Sequence, residues 1–187
     1  AHSDFETLMR QLSRKHTIVH TVFPLDQSRE TMVLNPAQKN LTATLRRLFP
    51  QVVDVRDPLA KMRAIKQPAE ISAMKKAADI TVNVFEHVKE VIQTAKYEYE
   101  IEAEFTALFR KKNAKHAYAP IVAAGGNATT LHYVANDKSI GSRDMVLLDI
   151  GAAYGGYASD VTRTYARRKP TKRQQAVHLS VQAAQAE

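Results

Sequence analysis

Two strand-like runs separated by a pair of glycines constrain the fold of this chain most strongly. Residues 145–150 are apolar except for Asp149, and the pattern resumes after Gly155-Gly156 in a second run that contains Asp160. β-Branched and aromatic residues in the second run favour a strand, and adjacent glycines favour a tight turn. The sequence therefore predicts an antiparallel hairpin with one aspartate on each strand.

The register of this hairpin decides what the two aspartates can do. A hairpin centred between Tyr154 and Gly155 places Asp149 directly opposite Asp160, on the same face, with Cβ atoms about 4.5–5.5 Å apart. Two carboxylates at that separation repel each other, and a bound cation relieves the repulsion. Their oxygens suit Mg²⁺, Mn²⁺, Ca²⁺ or a carboxylate-bridged metal pair. The alternative is that each Asp is a turn or capping residue, and a one-residue slip would turn one carboxylate to the other face.

The composition is that of a folded chain. Its 187 residues are 44% hydrophobic, which allows a packed core. No apolar run approaches the length of about 18 residues that a membrane span needs. Cysteine is absent, which excludes disulfides and thiolate chemistry and is consistent with a reducing compartment such as the cytoplasm.

The basic charge of the chain points to a polyanion partner only weakly. The net charge is +8, and an excess of this kind is one signature of nucleic-acid binding. Most of the Lys and Arg residues, however, are scattered among helix-patterned positions with Glu nearby. Solvated helix faces account for this arrangement, so the sequence disfavours nucleic acid as a partner.

Residues 1–57 have the pattern of the end of a small α/β domain. A helix is predicted over residues 3–15 and strands over residues 17–23, 31–34 and 51–55. Asn35-Pro36 starts another helix that runs to about Leu48, because Asn is a good N-cap and Pro fits the first helical position.

Residues 58–187 begin with helices and change to strands. A short helix follows Asp57-Pro58, a long amphipathic helix follows Pro68, and another spans residues 98–113. Strands are predicted over residues 121–127 and 129–134 and in the aspartate hairpin, and a last helix begins at Thr171. His87 is predicted to pack or lie at the surface, and His116 to cap the end of the helix over residues 98–113. The predicted long-helix stripe consists of Ile71, Met74, Ala78, Val82, Phe85, Val88 and Ile92.

Three separated segments resemble one family. Residues 63–71 read RAIKQPAEI and resemble the start of the catalytic domain in the Xaa-Pro aminopeptidases and prolidases. Residues 118–133 read YAPIVAAGGNATTLHY and are similar to its strand and substrate-histidine segment. Residues 148–164 read LDIGAAYGGYASDVTRT and resemble the segment with its first two metal ligands. The order and spacing of the three segments make chance agreement improbable.

The resemblance implies an α/β (α+β) fold in two parts. Residues 1–57 would be the C-terminal part of an N-terminal α/β domain. Residues 58–187 would be the N-terminal half of a "pita-bread" metallopeptidase domain. The family's reaction is hydrolysis of the bond between a first residue and a following proline, at a centre of two divalent ions. Mn²⁺ is the ion that the resemblance implies first, with Zn²⁺ or Co²⁺ as alternatives, and the substrate is a proline-containing peptide.

The resemblance also implies roles for three residues, and strand geometry adds a fourth. Asp149 would bind one metal ion, Asp160 would bridge the pair, and His132 would contact the substrate and stabilise the intermediate or relay a proton. Thr162 would hold a ligating carboxylate, since residues two apart on a strand share a face. The ordinary alternatives are a hydrogen-bonded His132 in a half-buried strand and a Thr162 with only a packing role.

The sequence departs from the family after Asp160. The family's site also needs a further histidine, two glutamates and a second substrate histidine, whereas only His178 and Glu187 follow here, and His178 comes too early to match. We therefore expect a second chain or a C-terminal segment to complete the site, and we expect this chain alone to be inactive. A homo-oligomer stays open. The competing hypothesis is a catalytically inactive, peptidase-like protein-binding module.

Overall fold

The computed structural model describes residues 2–23 and 36–187, which form two compact units within residues 1–66 and 67–187. The predicted strand over residues 31–34 and the predicted cap Asn35 lie outside the described residues. Among the helices of the described part, none is long and apolar enough to span a membrane. The division at residues 57 and 58 into two domains of the family stays a prediction.

The first unit alternates helices and strands, as predicted. It contains α1 (His2–Ser13), β1 (Ile18–Thr21), α2 (Pro36–Leu48), β2 (Gln51–Asp54) and α3 (Arg56–Ala64). β1 and β2 are parallel, with Ile18 opposite Gln51. Glu6 on α1 accepts hydrogen bonds from Arg10 at 2.7 Å and from Arg47 on α2 at 2.6 Å.

The second unit opens with two helices, α4 (Pro68–Thr94) and α5 (Glu98–Lys111), that cover its core. Glu70 caps α4 by accepting a 2.6 Å hydrogen bond from the Gln67 amide. The predicted stripe of α4 is correct in its second half and wrong in its first, where Ile71, Met74, Ala78 and Val82 are all exposed. The buried residues of α4 are Ala77, Ile80, Thr81, Val84, Phe85, Val88 and Ile92.

The buried face of α4 differs from the predicted stripe because it includes a polar residue, Thr81. Thr81 is completely buried, and its hydroxyl lies 2.6 Å from the Ser159 hydroxyl and accepts a 2.9 Å hydrogen bond from the Ala152 amide. Because these hydrogen bonds satisfy it, a threonine can occupy a core position that a hydrophobicity pattern assigns to the surface.

Two three-stranded antiparallel sheets pack with these helices. One has the order β4-β5-β8, and the other has the order β3-β6-β7. α6 (Lys172–Ala186) closes the chain and begins at the predicted cap, Thr171. The strands are β3 (Lys115–His116), β4 (Ile121–Ala124), β5 (Met145–Ile150), β6 (Ala152–Tyr154), β7 (Tyr157–Ala158) and β8 (Val161–Ala166).

The predicted hairpin is present, but its register differs by two residues. Gly155 and Gly156 have φ of +59° and +83° and form the turn themselves, with Tyr154 opposite Tyr157. Asp149 is consequently opposite Thr162, and the prediction that it lies opposite Asp160 is wrong. A two-residue turn favours positive φ at both central positions, which a glycine pair adopts without strain. Since side chains alternate with a period of two, the shift keeps both aspartates on one face as diagonal neighbours.

The predicted strand over residues 129–134 is also wrong. Residues Gly125–Thr129 form a 3₁₀ helix after β4, and His132 lies in the turn that follows, with a φ of +53°. Instead of pairing with a neighbouring strand, this segment donates side-chain hydrogen bonds to Glu98 on α5.

His116 is not the helix cap that the sequence predicts, because α5 ends at Lys111 and His116 belongs to β3. Its ring lies edge-on to Phe105 and Phe109, with ring centroids 5.6 and 5.4 Å away. Nε2 is 2.9 Å from the Thr106 hydroxyl, and the buried Nδ1 has no hydrogen-bond partner. Burial lowers the pKa of His116, opposed by the negative charge of Glu102.

We expect His116 to make the stability of the chain fall in acid. Below about pH 6.5, the ordinary pKa of histidine, the unfolded chain binds a proton that the folded site disfavours, so stability is lost as pH falls. The stability advantage of the wild type over His116→Gln should therefore narrow between about pH 7.5 and about pH 5.5 in urea unfolding. His87→Gln, at a largely exposed position, is the control. An advantage over His116→Gln that does not change with pH would contradict the prediction.

Candidate active site

Asp149 and Asp160 converge on a single hydroxyl group. The Tyr118 hydroxyl lies 2.5 Å from Asp149 Oδ1 and 3.0 Å from Asp160 Oδ1. A phenol has one proton, so it donates to one carboxylate at a time. Burial, followed by the hydrogen bond and negative charge of Asp149 and then those of Asp160, raises the pKa of Tyr118. The phenol therefore stays a proton donor at neutral pH.

The sequence reasoning missed Tyr118. It lies in one of the quoted segments, but it is 31 residues from Asp149 and 42 from Asp160. No local spacing rule connects a tyrosine to carboxylates so distant in the chain. The hydroxyl comes between them because β4, which follows Tyr118 closely, pairs with β5, where Ile121 is opposite Asp149.

Alternation along β5 orients the first aspartate. Val146, Leu148 and Ile150 are completely buried, so Asp149 points to the opposite face of the sheet. The buried face anchors this strand in the core of the second unit, and the carboxylate is thereby held on a rigid element. Asp160 comes immediately before β8, the strand that pairs with β5.

His132, Asp149 and Thr162 line one cleft of about 330 Å³. The structure therefore brings together three of the four predicted site residues, and the Tyr118 hydroxyl connects Asp160 to them. Thr162 is opposite Asp149 on the neighbouring strand, and His132 is exposed at the turn. The rest of the lining is largely apolar and includes Ile121, Ala123, Ala128, Leu131 and Leu147.

The donor set at this site fits a hard divalent cation in kind but not in number. Carboxylate oxygens that converge on one point are the ligands that such ions prefer. Within residues 2–23 and 36–187, however, no group of three or more His, Cys, Asp or Glu residues is placed to hold a metal ion. His178 lines a separate groove beside α6. The described residues thus offer two carboxylates at this point, fewer ligands than such an ion ordinarily takes from a protein.

Comparison with known proteins identifies the family to which this fold belongs. Residues 72–187 match Metallopeptidase family M24. The Xaa-Pro aminopeptidase of Haemophilus influenzae is 33% identical over 165 residues, which cover 87% of this chain and 36% of that protein. The Xaa-Pro aminopeptidase of Escherichia coli is 34% identical over 130 residues, which cover 69% and 28%.

Solved structures show the same relationship. The Xaa-Pro dipeptidase from Bacillus anthracis superposes with a TM-score of 0.79 at 27% identity, over 96% of this chain and 49% of that one. The proline aminopeptidase P II from Yersinia pestis gives a TM-score of 0.75 at 27% identity, over 97% and 43%.

The fold is therefore part of the pita-bread architecture of the aminopeptidase P and prolidase structures, as the sequence predicted. The chain belongs to metallopeptidase family M24. It spans about a third of the length of the two Xaa-Pro aminopeptidases and less than half of each matched structure.

Proposed function

We propose that this chain contributes part of the active site of a metal-dependent peptidase that hydrolyses the bond between a first residue and a following proline. The observation that supports this most strongly is the convergence of Asp149 and Asp160 on Tyr118 beside the cleft that His132 lines. Membership of family M24 and similarity to Xaa-Pro aminopeptidases support the reaction class.

Asp149 and Asp160 are the residues that would hold the metal ions. We assign Asp149 to one ion and Asp160 to a bridging position, with two Mn²⁺ ions as the first choice and Zn²⁺ or Co²⁺ as alternatives. When bound, the ions supply an activated water molecule and polarise the scissile carbonyl. Tyr118 donates its one hydrogen bond to either of the two carboxylates, which helps to fix their orientation.

The remaining cleft residues would bind the peptide. The exposed imidazole of His132 contacts the substrate at the rim of the cleft and can stabilise negative charge or carry a proton. The apolar lining suits the ring of a proline or another small apolar side chain. Thr162, opposite Asp149, supports the carboxylate that faces it.

Two carboxylates leave most of a metal ion's coordination sites to other ligands, so we propose that a further segment or second chain supplies the rest. On this proposal the 187-residue chain is inactive alone, and the complete particle is active. The cytoplasmic location and a homo-oligomeric state remain predictions. The competing proposal, a peptidase-like binding module, draws its support from the absence of a third metal-binding side chain among the described residues.

The test compares the recombinant 187-residue chain with the particle isolated from its native source. With Mn²⁺, the native particle should release the first residue from an Ala-Pro-Ala tripeptide and not from Ala-Ala-Ala, whereas the chain alone should release none. The intact mass of the particle shows whether a longer chain or a second chain completes it. Turnover by the recombinant chain alone would contradict incompleteness. A metal-loaded particle that cleaves neither peptide would favour the binding module.

A further inference from the structure

A completely buried carboxylate, Glu98, organises the segment between β4 and β5. It lies in the first turn of α5 and is 0% exposed. Its Oε1 accepts hydrogen bonds from the Ala124 amide at 2.8 Å and from Asn127 Nδ2 at 3.0 Å. Its Oε2 accepts hydrogen bonds from the Tyr133 hydroxyl at 2.7 Å and from the Lys138 amide at 3.0 Å.

These four donors come from one stretch of chain. Ala124 ends β4, Lys138 lies at the far end of the segment, and Asn127 and Tyr133 lie between them. A single carboxylate thus holds both ends and the middle of the segment. A buried carboxyl group needs these hydrogen bonds because it has lost its contact with water.

Asn136 provides a second attachment to the same helix. Its side chain accepts a 2.9 Å hydrogen bond from the Val122 amide and donates to Glu102 Oε2 at 2.8 Å and to the Pro120 carbonyl at 3.0 Å. The segment is therefore fixed to α5 at Glu98 and Glu102. Burial, followed by the hydrogen bond to Glu98, raises the pKa of Tyr133 to about 12, so its hydroxyl remains a donor at neutral pH.

His132 is the residue that this fixed segment presents. It precedes Tyr133 directly, is exposed, and has a left-handed φ of +53°. A left-handed conformation is strained in a residue other than glycine, and it persists where surrounding contacts enforce it. The contacts closest to His132 in the chain that can enforce it are those of Tyr133 with Glu98 and Asn127.

We propose that Glu98 is a positioning residue for His132: through the Tyr133 hydroxyl it fixes the turn that holds the imidazole at the cleft lined by Asp149. Glu98 does not line the cleft and touches no reacting atom. The inference deepens the proposed function and rests on it for the catalytic consequence. The effect on the position of His132 can be measured without activity.

The first experiment is NMR of histidine ring signals in the 187-residue chain. The variants are Tyr133→Phe, which removes one hydrogen bond, and Glu98→Gln, which cannot accept from all four donors. Tyr99→Phe is the matched control, since Tyr99 is on the same helix with a largely exposed side chain. We expect the His132 Cε1–Hε1 signal, assigned by its absence in His132→Asn, to shift or split in Tyr133→Phe and not in Tyr99→Phe. The other six of the seven histidines should be unaffected.

The second experiment measures turnover of Ala-Pro-Ala by the complete particle. A small displacement of a positioned group lowers kcat, so Tyr133→Phe should reduce kcat about tenfold with little change in KM. A His132 signal that does not move in Tyr133→Phe overturns the proposal, whatever the activity. If the His132 signal moves but the complete wild-type particle shows no turnover, the proposed function is contradicted and the positioning role is still supported. A signal that moves while kcat stays at the wild-type value contradicts the catalytic consequence.

Discussion

Asp160→Asn is expected to abolish Mn²⁺ binding by this chain. The substitution keeps the size of the side chain but replaces an anionic group by a neutral amide, and two carboxylates of the described residues converge at the site. Metal ions of this class depend on the number of charged oxygen ligands. With one carboxylate left, the attraction between site and ion is too weak to displace the ion's own water. The free Mn²⁺ signal in electron paramagnetic resonance should therefore not fall when the variant is added.

A control variant distinguishes the loss of the metal site from a general loss of negative charge. Asp79→Asn removes the same charge from an exposed position on α4 and should bind Mn²⁺ as the wild type does. The complete particle should likewise lose metal in the Asp160 variant, as measured by elemental analysis. Wild-type metal content in Asp160→Asn would refute the bridging role given to this residue.

Local sequence patterns predicted those parts of the fold that local forces determine. Pro68 and the spacing of apolar residues located α4, and Thr171 located the start of α6. The glycine pair located the hairpin, and the period-two alternation kept both aspartates on one face in spite of the wrong centre. The register was missed because Tyr154 was placed in the turn, whereas Gly155 and Gly156 fill both central positions.

The parts that were missed depend on hydrogen bonds between residues distant in the chain. The segment around His132 has the residue types of a strand, but Asn127 and Tyr133 are bound to Glu98, 29 and 35 residues away. A glutamate in the first turn of a helix is ordinarily exposed to solvent, where its negative charge interacts favourably with the helix dipole. Only the fold shows that this one is buried and serves as an acceptor for another segment. Tyr118 was missed for the same reason, since Asp149 on β5 and Asp160 just before β8 are distant from it in the chain.

Gly151→Ala is expected to destabilise the second unit strongly and to disturb the aspartate pair. A Cβ at residue 151 would lie 1.9 Å from the Ser159 carbonyl oxygen and 3.1 Å from Tyr118 Cε1. The first of these atoms belongs to the backbone of the opposite hairpin strand, so the strands must separate to admit a methyl group. Overpacking usually costs about 1–3 kcal/mol, and we expect a loss of about 3 kcal/mol or more because rigid backbone must move.

The position of Gly151 makes this a test of the site as well as of the fold. Gly151 lies between Asp149 and the start of β6, and its neighbour across the hairpin, Ser159, directly precedes Asp160. Strand separation here moves the two carboxylates apart and displaces Tyr118, so Mn²⁺ binding should weaken even where the variant is folded. Gly126→Ala is the control, because a Cβ there meets no atom within 4 Å, and its free energy of unfolding should change by less than about 1 kcal/mol. Equal urea midpoints for the two variants would contradict the close approach of residues 151 and 159. Unchanged Mn²⁺ binding by folded Gly151→Ala would show that the spacing of the two aspartates does not depend on it.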